Sequence, residues 1–283
     1  MKAYISVDFE GLPFIVHPEQ LEPKKVFYDE DRKIATKIAN TIVDELHNLG
    51  FEEIYIADSH GSMMNIIIDE LPDYVYLIRG FPRPYSMMSM VENCNVALLI
   101  GYHSKFGEPY AILDHTYSST TFRSIRINDI EVSEYLLNTY LANYFNVLVI
   151  LVAGDETLIK NDVENYASWI EKVISEKSLS KCSAISPSLN KIINELRQGI
   201  RRAIDKWRHG EIKLLKLEEP LVLEMELQQT LYADVVSRIP GAERIDGLKV
   251  GLKVKNIVEA YNIIELSTIL LIGIRNTLQS LNF

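Results

Sequence analysis

Val147-Leu148-Val149-Ile150-Leu151-Val152 is an unbroken aliphatic run in which four of the six residues are β-branched. A run of this kind suits a central strand covered on both faces, the setting of a parallel sheet. Shorter apolar, β-rich runs lie upstream at Ala3–Val7, Glu53–Ala57, Val75–Ile78 and Val96–Gly101. Helical patterns alternate with them. Ile34, Ile38, Ile42, Leu46 and Leu49 recur every three or four residues in a helix from about Asp29 to Asn48, which Gly50 ends. A second helix starts near Val132 and carries Leu136, Leu137, Tyr140 and Leu141 into the long aliphatic run. Strands alternating with helices predict crossover units, hence an α/β fold with a mostly parallel sheet flanked by helices.

From about Glu156 the pattern changes. Longer helical periods, clearest over Asp162–Ser175 and Ser186–Trp207, precede a strand pair at Leu221–Leu227 and Gly247–Val254 and a last helix from Asn256. The expected division is an α/β domain over residues 1–157, carrying the chemistry, and a smaller α+β C-terminal part over 158–283. No Gly/Ser linker separates the two, so one continuous domain is the alternative. There is no internal repeat and no low-complexity segment.

A chain of 283 residues buries a sizeable core without staples. Cys94 and Cys182 form no metal or redox spacing and read as buried small hydrophobes. The formal charge of −10 excludes a general nucleic-acid binder. The one basic cluster, Arg197, Arg201, Arg202, Lys206 and Arg208, reads as the solvated face of a helix. The first apolar run meets Asp8 before it reaches signal-peptide length, and no later stretch is apolar over 18 residues. The expectation is a soluble, cytoplasmic protein without membrane association.

Polar groups able to bind metal cluster just after the predicted strands, where open α/β sheets place their ligands. Asp8 and Glu10 follow the first strand, Asp58 and His60 the second, and His103 a later one. Asp8 and Glu10 are two apart, so in an extended segment both point to one side while Phe9 points away. Two such carboxylates repel unless a cation neutralises them, and zinc accepts carboxylate oxygen and imidazole nitrogen together. Of six histidines, His60, His103 and His115 lie near strand ends or Gly-flanked turns, whereas His17, His47 and His209 have no comparable setting. His115, in the hydroxyl-rich Asp114-His115-Thr116-Tyr117-Ser118-Ser119, is a ligand or a catalytic base. Glu131 or Glu134 supplies a further acid, and spacing does not choose between them.

The motifs Ser6-Val7-Asp8-Phe9-Glu10-Gly11, Asp58-Ser59-His60, Gly101-Tyr102-His103, Asp114-His115-Thr116, Ile127-Asn128-Asp129 followed by Glu134, Val152-Ala153-Gly154-Asp155 and Val258-Glu259-Ala260-Tyr261 together resemble the zinc-dependent D-aminopeptidase family. The resemblance spans nearly the whole chain and rests on the order and spacing of the motifs. It implies two Zn²⁺ ions per subunit held by Asp8, Glu10, His60, His103 and Glu134, with Asp8 shared. It implies a catalytic role for His115, Glu134 in preference to Glu131, a short peptide as substrate and a homo-oligomeric ring, commonly a decamer. Ala57, and the bulky turn Leu12-Pro13-Phe14, depart from the family pattern beside the metals without supplying ligands.

The expected activity is removal of the N-terminal residue of short peptides, with D-residue preference, by metal-activated water. Another two-metal hydrolase, an amidase or phosphoesterase, uses the same ligand types. A phosphoesterase wants cations for phosphate oxygens, and only Arg83 and Lys105 lie near the motifs. A non-catalytic metal-binding ring scaffold is the third reading. Leu12, Phe14, Tyr85, Met87 and Met88 are candidate pocket walls.

Overall fold

The first strand, β1 (Lys2–Val7), leads through a loop and a short 3-10 turn to helix α1 (Tyr28–Asn48), then to β2 (Glu53–Asp58), β3 (Val75–Ile78) and β4 (Val96–Tyr102). The computed structural model describes residues 1–281. Next come β5 (Phe122–Ile127), β6 (Ile130–Glu131), α2 (Glu134–Tyr144) and β7 (Leu148–Asp155). A short helix α3 (Glu156–Leu158), a π turn over Ile159–Val163 and α4 (Glu164–Ala167) lead to β8 (Glu171–Ser180) and β9 (Ser183–Ile185). The chain continues through α5 (Leu189–Arg208), β10 (Leu221–Leu227), α6 (Thr230–Val236), β11 (Glu243–Arg244), β12 (Lys249–Val254) and α7 (Ile257–Ser280).

The main sheet has the order β3-β2-β1-β4-β7-β8-β9. It is parallel except for the edge pair β8 and β9. Its central strands are covered on both faces, as the aliphatic run predicts for β7. Ile5, Leu98 and Ile150 face α1 and α5, meeting Ile38, Ile42, Ile200 and Ile204. Tyr4, Leu99 and Val149 face the other way into a core shared with Leu136 and Leu141 of α2 and with Ile125 and Leu223 of a second sheet. That second sheet is antiparallel, in the order β11-β12-β10-β5-β6.

Several expectations change. The helix expected over Asp162–Ser175 is only a π turn and a single short helix. Val173 and Ser175 are buried, and β8 pairs in parallel with β7, so the available sheet edge overrides the helix-favouring Glu and Lys residues. Strands on both sides of the expected boundary at 157/158 contribute to both sheets, β8 to the first and β5 to the second. The basic cluster on α5 is more than a solvated face. Arg197 and Arg201 reach the buried Glu45 of α1 at 3.4 and 2.6 Å, and Arg202 and Lys206 reach Glu171 at 2.7 and 2.6 Å, tying α5 to its neighbours. Cys94 is buried as expected, but Cys182 lies exposed between β8 and β9.

Helix α7 is capped by Asn256, whose Oδ1 accepts from the Glu259 amide at 3.1 Å. By length and composition it is long and apolar enough to cross a membrane, with a mean hydropathy of 1.7 over 18 residues. Its face through Ala260, Tyr261, Ile264, Ser267, Thr268 and Leu271 is instead buried against α2, β10 and β12. The opposite face leaves Leu266, Ile269, Leu270 and Ile272 exposed.

Asp31, in the first turn of α1, is buried with Oδ2 unpartnered, while Oδ1 accepts from Gln20 Nε2 at 3.1 Å. Burial pushes its pKa up to about 7. An unfolded aspartate ionises near 3.9. Between those values the native state holds the extra proton, so stability falls as pH rises through the window. Asp31→Asn is therefore expected to be more stable than the parent at pH 8, by on the order of 1–3 kcal/mol, and to match it near pH 4. Thermal melts at the two pH values check this, and a pH-independent difference refutes it.

Candidate metal centre

The site sits on the C-terminal edge of the parallel sheet. Beyond β1 the backbone stays paired to β4: Asp8 N donates to Ile100 O, and Gly11 N to Gly101 O, both at 2.8 Å. The chains approach so closely that a Cβ on Gly11 or Gly154 would lie 2.0 Å from the Tyr102 carbonyl oxygen, and one on Gly101 2.0 Å from that of Asp8. Gly101 also has φ +75°. His60 lies in the turn after β2, His103 directly after β4, His115 in the loop between β4 and β5, and Glu134 opens α2 behind the N-cap Ser133.

These elements bring together all six residues singled out in the sequence. His60 Nδ1 lies 2.9 Å from Glu10 Oε2 and 3.3 Å from Asp8 Oδ1. His103 Nε2 lies 3.6 Å from Asp8 Oδ2 and 3.7 Å from Glu134 Oε1. His115 Nε2 is 3.8 Å from both Glu10 Oε1 and Glu134 Oε1, and its ring stacks on His103 with centroids 4.3 Å apart. Glu131 points elsewhere, pairing with Arg126 at 3.5 Å.

Each imidazole is anchored through one nitrogen on a backbone carbonyl: His60 Nε2 on Leu21 at 3.2 Å, His103 Nδ1 on Ser104 at 3.0 Å and His115 Nδ1 on Leu113 at 2.8 Å. The N–H that stays on the anchored side leaves the other nitrogen, which faces the carboxylates, as the one a metal would take on displacing its proton. His103 Nε2 is buried without any hydrogen-bond partner. An orphaned imidazole nitrogen among buried carboxylates fits zinc, which takes nitrogen and oxygen donors together. Calcium and magnesium, which favour all-oxygen shells, fit less well. Donor atoms within 4.8 Å of one another form three overlapping groups: Asp8, Glu10 and His60; Asp8, His103 and Glu134; and Glu10, His103 and His115. The first two share Asp8. The third brings His115 within ligand reach as well.

The protonation pattern reflects crowding. Burial, reinforced by the Glu10 carboxylate, raises the pKa of Asp8. Burial works the same way on Glu10 but is outweighed by His60, His103 and His115, which hold it well below the usual carboxylate range. Burial disfavours charge on His60 and His103, yet the carboxylates prevail, holding His60 well above its ordinary value and His103 at about 9. His115 is lowered, by burial and then by the adjacent His103. The cluster thus stores protons that a divalent cation would displace.

Several residues support the centre without joining the ligand groups, and Asp58, which follows the second strand with His60 and reads in the sequence among the groups able to bind metal, is one of them. Asp58 is no candidate ligand: its carboxylate accepts from the Asn65 amide, the Asn65 side chain and the Ile66 amide at 2.5–2.8 Å, and Asn65 in turn donates to His60 O, bracing the turn. Asp155 accepts from Ser104 N at 3.0 Å and caps α3, fixing the backbone beside His103. A buried chain of hydroxyls and an amide, Ser6, Tyr102, Asn138 and Tyr261, ties β1, β4, α2 and α7 together at 2.7–2.8 Å.

The centre opens into a cavity of about 450 Å³. Met87 lines it, whereas Leu12, Phe14, Tyr85 and Met88 are not among its lining residues. The hydroxyl-rich loop reaches it through Tyr117, Ser118 and Ser119, and Glu22 and Arg275 join from distant segments. Arg83 instead donates to the carbonyls of Ser86, Ile78 and Asp58, and Lys105 pairs with Glu108 and Asp162.

Residues 1–266 match the D-aminopeptidase family M55. The D-aminopeptidase of Bacillus subtilis strain 168 is 30% identical over 267 residues, spanning 92% of this chain and 94% of that protein. The solved structure of the zinc-dependent D-aminopeptidase DppA from Bacillus subtilis, described as a self-compartmentalizing protease, superposes with a TM-score of 0.89 at 29% identity, covering 95% of this chain and 97% of the other.

Proposed function

The chain belongs to the D-aminopeptidase family, and from that premise we propose that it removes the N-terminal residue of short peptides, with D-residue preference, at a centre of two zinc ions. The observation that carries the reading is the set of three carbonyl-anchored imidazoles turned toward three buried carboxylates, one of them with an orphaned nitrogen. Asp8, Glu10 and His60 would hold one ion, and Asp8, His103 and Glu134 the other. Zinc bound there would supply Lewis acidity, polarising the peptide carbonyl and bringing the pKa of water down to about 7. Glu22 lines the same cavity outside the two ligand sets and is an acid left to face the peptide's free amine. His115 carries its N–H at Nδ1, on Leu113 O, so Nε2 is free to take the proton of the attacking water and deliver it to the departing amine.

Assembly into a closed ring, with the decamer of two stacked pentamers as its form, suits the exposed apolar face of α7. A cytoplasmic location suits the free, exposed thiol of Cys182. The zinc-loaded protein is expected to cleave aminoacyl p-nitroanilides, the D-series faster, and to leave p-nitrophenyl phosphate untouched. Phosphatase turnover without peptidase turnover would replace this reading by the phosphoesterase one. Bound zinc with neither activity would favour the scaffold.

A further inference from the structure

Besides the proposed ligands Asp8, Glu10, His60 and Glu134, the cavity is lined by the Ser118–Thr120 hydroxyl loop and by Arg275 from the last turns of α7. Arg275 is the only Lys or Arg side chain lining the cavity among the described residues. Its Nη1 donates to Thr120 Oγ1 at 2.7 Å, and among the described residues no carboxylate pairs with it. Arg83, the other partly buried guanidinium near the centre, directs its donors to the carbonyls of Ser86, Ile78 and Asp58, whereas Arg275 makes its side-chain bond to a hydroxyl of the cavity loop. The Thr120 bond holds the planar head in place while its remaining donors stay available, and a guanidinium fork matches a carboxylate through two parallel hydrogen bonds.

A free peptide is a zwitterion with an amine at one end and a carboxylate at the other; with Asp8, Glu10 and Glu134 compensated by the zinc ions they would hold, Glu22 is the lining acid left for the amine and Arg275 the lining side-chain cation left for the carboxylate. The volume, in the lower half of the ~300–1,000 Å³ range of small-molecule sites, suits a peptide of a few residues. Arg275 also lies beyond residue 266, where the family match ends, so it belongs to a part of the chain that the family pattern does not describe.

We propose that Arg275, positioned by Thr120, binds the C-terminal carboxylate of the substrate and so makes this enzyme selective for short peptides with a free C-terminus. The inference rests on the aminopeptidase reading above. The test compares a dipeptide with its C-terminal amide, in the zinc-loaded parent and in Arg275→Gln and Arg275→Lys, with an aminoacyl p-nitroanilide assayed alongside. The parent is expected to favour the free acid over the amide by about 10- to 100-fold in kcat/KM, the worth of a charged hydrogen-bonded pair. Arg275→Gln should bring that ratio to about one, chiefly by raising KM for the acid, and Arg275→Lys should restore part of it. A parent that does not distinguish acid from amide, or an Arg275→Gln protein that keeps the parent's ratio, overturns the proposal. Absence of turnover on every peptide and anilide would instead remove the aminopeptidase reading itself.

Discussion

Replacing His103 with alanine is expected to release zinc from the centre and to abolish peptide hydrolysis. His103 Nε2 is buried and unpartnered between Asp8 and Glu134, and its ring is fixed by the bond from Nδ1 to Ser104 O. Alanine there leaves carboxylates facing one another with no nitrogen donor between them. Loss of a partner merely outside the ligand shell costs about 10–100-fold in metal affinity, so loss of a direct donor should exceed that. Elemental analysis after dialysis, read beside peptidase activity, checks it. Full zinc content with full activity would remove His103 from the centre.

His115→Ala is expected to behave differently, keeping its zinc while losing about 10²–10⁴-fold in kcat, the usual worth of a positioned acid–base group. The two variants must be read together, because His103 and His115 stack on each other and His115 also falls within a donor group with Glu10 and His103. Zinc content is therefore the deciding measurement for His115. Retained metal with lost turnover assigns it to proton transfer, whereas lost metal makes it a ligand.

Much of this centre is legible along the chain because parallel sheets deliver their strand ends to one edge, so Asp8, Glu10, His60 and His103 announce themselves by following aliphatic runs. The choice between Glu131 and Glu134 is not legible in this way. Both lie near the start of α2, and only the folded positions show one on Arg126 and the other facing His103. The strand β8 is obscured by Glu171, Lys172, Glu176 and Lys177, residues that favour helices locally but lie at a sheet edge where pairing to β7 prevails. β5 is obscured because Arg123, Ser124 and Arg126 interrupt its apolar positions, which pack inward only once β10 lies alongside. Arg275 has no local signal at all. It is brought to the cavity by the docking of α7 on α2 and the second sheet, a tertiary event that no short window contains.

The close passage of Gly11, Gly101 and Gly154 past the carbonyls of Asp8 and Tyr102 has a bearing on how such a centre can change over time. The span between the donors after β1 and those after β4 is set by main chain touching main chain, not by the bulk of any aliphatic neighbour. Interior side chains behind the sheet can therefore be exchanged for others of different shape while the β1 and β4 donors keep their spacing, whereas Glu134 depends on the packing that seats α2. Divergence can accumulate in the packing behind the sheet while that spacing keeps its dimensions, as long as those three α-carbons carry nothing larger than hydrogen.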